Sequence, residues 1–132
     1  MPAATQGTIG IQNRIGDKAV RALIDPLMDR DAVLRTRAER AVATALQGSC
    51  QVPLAVFAEL DSNKLRLRGM VGMPDGSTVI RTEQKGALAD LDALAEAASG
   101  ELLEQGGSMH LCHMVAFAVV IFILLYGLFM RK

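Results

Sequence analysis

The chain has 132 residues, a length that suits about one domain, and its 14 Lys and Arg balance its 14 Asp and Glu. That balance gives no basic footprint for a nucleic acid and no acidic tail for storing cations, so neither partner is expected. Hydrophobic residues make up 51 % of the sequence and aromatics only 4 %, with the apolar excess gathered at the C-terminal end.

The N-terminal "MPAATQG" has no basic segment followed by an apolar run, so it does not read as a secretory signal. A reducing, cytosolic setting is the expectation for residues 1–107. "TIGIQ", Thr8 to Gln12, is β-like, with Ile9 and Ile11 on one side. From Asp17, "DKAVRALIDPLM" puts Val20, Leu23, Ile24 and Leu27 on one helical face, and Pro26 ends or kinks that helix. Asp29 or Asp31 can cap the next helix, in which Leu34, Ala38, Ala41, Val42, Ala45 and Leu46 recur at helical spacing before the stop at Gly48. Its opposite face carries Arg35, Arg37, Glu39 and Arg40.

Three strand patterns follow. "QVPLAVFAEL" ends at the turn-forming Asp61-Ser62-Asn63, and "KLRLRGMVGM" alternates Leu65, Leu67 and Val71 against Lys64, Arg66 and Arg68. "PDGS", Pro74 to Ser77, is a turn signal, and "TVIRTEQ" is the third strand. Together they read as an antiparallel meander with one polar face. A last helix, Leu88 to Gly107, has a stripe of Leu88, Leu91, Ala95, Ala98 and Leu102. The expected fold class is α+β: a small three-stranded antiparallel sheet with helices packed on one face, plus a C-terminal hydrophobic helix.

That hydrophobic helix is Leu111 to Met130, 20 residues without Asp, Glu, Lys or Arg. About 20 helical residues span a hydrocarbon layer, so it reads as a transmembrane segment; the alternatives are a buried core helix, a protein–protein contact or a non-native tail from a broken reading frame. The closing Arg131 and Lys132 favour a cytosolic C-terminus, whereas a folded domain without a signal favours a cytosolic N-terminus, and the second argument carries more weight. His110, Cys112 and His113 make only an incomplete metal set, and no metal is expected.

Two cysteines do not form a disulfide framework. Cys50 stands on a small-residue loop, after Gly48 and Ser49, between a helix and a strand. From its pattern alone it could be inert filler, a metal ligand, half of a disulfide or an attachment point.

The stretch "GSCQVP", Gly48 to Pro53, resembles the cofactor-attachment motif of the porphobilinogen deaminase (hydroxymethylbilane synthase) family. The resemblance extends to "RAERAVATAL" before it, "LRLRGMVGMPDGSTVIRTEQKG" after it and "AEAASGELLEQGG" beyond. Upstream, "PAATQGTIGIQNR" is similar to the family's segment leading into a strand, so the likeness runs from about Pro2 to Gly107.

The resemblance implies a transferase of tetrapyrrole and haem biosynthesis. It joins four porphobilinogen units, with loss of ammonia, on a dipyrromethane held covalently by the cysteine at the position of Cys50. It further implies weaker cofactor-binding roles for Arg40, whose guanidinium suits carboxylates, and for Gln6 and Gly7 near the substrate cleft. Thr5 departs from the family, which has glycine there.

On this reading residues 1–14 are the remnant strand of the cleft domains, 15–107 the C-terminal domain and 108–132 a transmembrane tail. The family's catalytic aspartate and its arginine cluster have no counterpart here, so no catalytic residue is assigned and the chain is expected to be a fragment, inactive alone. Porphobilinogen and oligopyrrole intermediates would be its partners only if the missing domains were supplied. The alternative is a non-enzymatic, membrane-tethered binding or scaffold module that reuses the domain, cytoplasmic and anchored through 111–130.

Overall fold

The computed structural model describes residues 1–46, 53–73 and 75–107. Two short helical pieces come first: α1, Lys18–Ile24, and a 3₁₀ turn, Asp25–Leu27, which holds Pro26. The Asp17 carboxylate accepts from the Val20 amide and so caps α1. The 16-residue α2, Arg30–Ala45, is capped in the same way by Asp29, which accepts from the Ala32 amide.

Strands β1, Leu54–Asp61, β2, Lys64–Gly72, and β3, Val79–Ala87, form an antiparallel sheet in the order β1-β2-β3. A 3₁₀ turn, Leu88–Asp90, leads into α3, Leu91–Leu102, and one π-helical turn, Leu103–Gly107, follows.

Strand register sorts the side chains onto two faces. Val56, Ala58, Leu65, Leu67 and Val71 lie inward and are buried with Ala38, Val42 and Leu46 of the α2 side and Leu91, Ala95, Ala98 and Leu102 of the α3 side. The α+β reading of a three-stranded sheet with helices on one face therefore holds for α2 and α3. Gly69 is required for this packing: a Cβ there would lie 2.9 Å from both Leu102 Cδ1 and Thr82 Cγ2. β3 runs three residues past Gln84, because pairing with β2 continues to Lys64↔Ala87 and the Leu88 amide then closes the edge on Asn63 O.

Three expectations need correction. Residues 8–12 form no strand. A strand needs a ladder partner, and at Ala58 the outer edge of β1 is met by a side chain, Glu39, rather than by residues 8–12. The Val20, Leu23 and Leu27 stripe is exposed, and the main contacts of α1 among the described residues are with the 3₁₀ turn that follows it rather than with the sheet. Glu39 is buried rather than on a solvated helix face. The hydrophobic segment 111–130 lies outside the described residues; among those described, no helix is long and apolar enough to cross a membrane.

Candidate cofactor-anchoring site

Cys50 falls within 47–52, outside the described residues, but both flanks of that loop are defined. On one side Leu46 is fully buried and its amide donates to Val42 O, closing α2. On the other, Pro53 O accepts from the Gly72 amide at 3.1 Å, just before β1 begins. Leu54 pairs with Val71 and Gly72 with Val79, so the chain enters β1 at the end of the sheet where β2 stops and β3 starts. The hairpin that joins those two strands is tightened there by the Met73 amide, which donates to Thr78 O at 2.9 Å, and by Asp75. The Ser77 amide and hydroxyl both donate to the Asp75 carboxylate and hold its pKa below the ordinary value.

Arg40 is exposed on α2, and among the described residues its guanidinium makes no ion pair. It lies six residues before Leu46, or about 9 Å along the helix axis. Arg21, Arg37, Arg66 and Arg68 are by contrast each engaged by a carboxylate. A free guanidinium on the helix that leads into the Cys50 loop fits a ligand bearing acetate or propionate groups.

Gln6 and Gly7 belong to a tight N-terminal turn. The Gln6 amide donates to Ala3 O, its side-chain Oε1 accepts from the Ala3 amide, and Gly7 takes a φ of +83°, a conformation that favours glycine. Both line a cleft of about 830 Å³ between this arm and α2, which also receives Arg35, Arg37 and Phe57. Arg40 is not among the cleft residues, so Gln6 and Gly7 on one hand and Arg40 on the other sit on different surfaces. The residue that sequence reasoning missed is Glu39, which lines the same cleft and reaches both the arm and β1. Its only signal in the sequence was an acid set between Arg37 and Arg40 on α2.

The outer face of the sheet carries a lattice of charges. Arg66 bonds Glu83 through two nitrogens, at 3.0 and 3.1 Å, and also reaches Glu59. Arg68 bonds Glu59 at 2.8 Å and lies 5.4 Å from the Phe57 ring centroid. The bond from Arg66, supported by Lys85, pulls the Glu83 carboxyl down to about 2, and Glu83 in turn raises Arg66. Arg66 is satisfied by the sheet itself, whereas Arg68 is paired through one terminal nitrogen and keeps a buried Nε that has no hydrogen-bond partner among the described residues. Among the described residues no group of three metal-ligating side chains occurs; His110, Cys112 and His113 lie outside them.

A family described as "Porphobilinogen deaminase, C-terminal domain" matches residues 33–104, more than half of the chain. The matched span includes Arg40 and both flanks of the Cys50 loop, and it stops short of Gln6, Gly7 and the apolar tail.

Proposed function

The chain belongs to the porphobilinogen deaminase C-terminal domain family, a membership that suggests tetrapyrrole biosynthesis, and we propose that it is the cofactor-bearing domain of a hydroxymethylbilane synthase-type transferase. In this reading Cys50 holds dipyrromethane through a thioether, and Arg40 pairs with the acidic side groups of the bound pyrroles. Dipyrromethane supplies the primer on which four porphobilinogen units are joined with loss of ammonia.

The observation that carries the reading is the family match on both sides of "GSCQVP", together with Arg40, which makes no ion pair among the described residues, on the helix leading into it. What this chain contributes is a reactive thiol on a loop pinned at both ends, and a cation for carboxylates. Proton transfer to the departing ammonia and charge neutralisation along the growing chain need further acids and arginines. In the enzyme that this reading assigns, cleft domains would supply those groups.

The expected outcome is therefore that the 132-residue chain alone neither consumes porphobilinogen nor carries an adduct. Incubation with porphobilinogen, followed by oxidation and a uroporphyrin assay, tests this; clear turnover would contradict it. The apolar run 111–130 favours a second reading, a membrane-tethered binding or scaffold module. Carbonate extraction of membranes from expressing cells decides that point: release into the supernatant ends the tether.

A further inference from the structure

Glu39 is only 7 % exposed, yet among the described residues no cation pairs with it. A carboxylate taken out of water must be compensated by strong hydrogen bonds. Glu39 has two, both from backbone amides and each on a different oxygen. Oε1 accepts from the Ala58 amide at 2.9 Å, and Oε2 accepts from the Thr5 amide at 2.6 Å. Ala58 lies on β1, which is an edge strand, and Thr5 lies in the N-terminal arm. One side chain on α2 thus holds two segments that are 53 residues apart to the same point.

The arm has little else to hold it. Ala4 packs against the core, and the Thr36 hydroxyl donates to that of Thr8 at 3.5 Å. Residues 9–12 are exposed, Ile9 and Ile11 among them. Thr5 has a φ of +60°, which a β-branched residue adopts only when its surroundings impose it. The hydrogen bond from its amide to Glu39, and the turn closed by Gln6 N to Ala3 O and Thr8 N to Thr5 O, accompany that conformation.

We propose that Glu39 is a positioning residue: a two-acceptor clamp that sets the turn carrying Gln6 and Gly7 against α2, the helix that runs into the Cys50 loop. Its importance for the reaction rests on the function proposed above; the clamp itself does not. The chemistry requires a carboxylate at this position. Two converging N–H donors need two acceptor oxygens, and a carboxamide of the same size offers one oxygen and one NH₂ group that would face a donor.

The test compares the full-length chain with its isosteric Glu39→Gln variant by amide hydrogen exchange at Thr5 and Ala58. In the variant one of the two amides is expected to exchange at least about tenfold faster, the scale of a lost bond to a charged acceptor. The amides of Leu67 and Leu102 should keep their order of protection. If both Thr5 and Ala58 exchange as in the wild type, Glu39 merely fills volume and the clamp is overturned.

Should Glu39→Gln not fold, couplings across the hydrogen bonds from the Thr5 and Ala58 nitrogens to the Glu39 carboxylate carbon decide the matter in the wild-type chain. Their presence supports the clamp, and the absence of both overturns it. The mass of the Cys50 peptide, taken after mixing the chain with porphobilinogen and the cleft domains, reads the anchor separately, so either idea can fail without the other.

Discussion

Helices α1 and α2 both carry apolar residues at helical spacing, and of the two only α2 buries any. In α2 the pattern puts Ala38 and Val42 at zero exposure, with Leu46 beyond its end nearly so. In α1 the same kind of pattern leaves Leu23 76 % exposed, with Val20 and Leu27 also open to solvent. Both helices have an aspartate cap. α1 adds an i,i+4 pair, Arg21 with Asp25 at 2.5 Å, but such a pair stabilises by only about 0.3–0.5 kcal/mol. Amphipathic spacing states which face wants a partner, not that the partner is present. α2 packs on β1 and α3, whereas the main contacts of α1 among the described residues are with the turn that follows it.

The sharpest test of that contrast is a pair of matched truncations. Leu67→Ala, in the middle of β2 and fully buried, should cost about 2–5 kcal/mol of unfolding free energy. Leu23→Ala should stay within about 0.5 kcal/mol. Chemical denaturation monitored by circular dichroism reads both, and a comparable loss from the two would mean that α1 is part of the packed unit.

A smaller effect probes the core from the opposite side. Gly69→Ala would bring a methyl group 2.9 Å from the buried Leu102 and from Thr82. Overpacking of this kind costs about 1–3 kcal/mol, whereas alanine at Gly10 of the arm, where no atom lies within 4 Å of an added Cβ, should be near neutral. Equal midpoints for the two variants would contradict the packing described.

The smallest effect comes from the outer sheet face. Glu83 titrates at about 2 instead of 4.5, so its stabilising contribution is present above the ordinary carboxylate pKa. It is lost as the pH falls through about 4.5 towards about 2. Glu83→Gln should flatten that part of the pH–stability curve and leave the neutral-pH midpoint little changed. The difference should be modest and should shrink with added salt, because the pair is half open to water.

Much of the packed unit was legible beforehand because each element obeyed one period. Leu65, Leu67 and Val71 alternate with Lys64, Arg66 and Arg68, and that alternation survives as the two faces of β2. The "PDGS" signal ends one strand before the next begins. The arm was misread because Ile9 and Ile11 alternate as a strand would, while pairing depends on a free neighbouring edge that no local pattern reveals. Glu39 was misread for a related reason: acid and arginine neighbours on one helix suggest a wet face. Burial at that position is decided by Thr5 and Ala58, residues 34 positions before it and 19 after. Cys50 was the opposite case, since its pattern left four roles open and only the surrounding family series narrowed them.

The central claim, that Cys50 is the attachment point, is tested most directly by the mass of the tryptic peptide 41–64, in which Cys50 is the sole cysteine. The chain would be mixed with porphobilinogen and with a separate polypeptide carrying the two cleft domains of the family, then digested. The account predicts a dipyrromethane adduct on that peptide, a positive Ehrlich colour reaction, and loss of both in a Cys50→Ser variant. Turnover by the complemented mixture with peptide 41–64 unmodified, or with the adduct on Cys112, would contradict it.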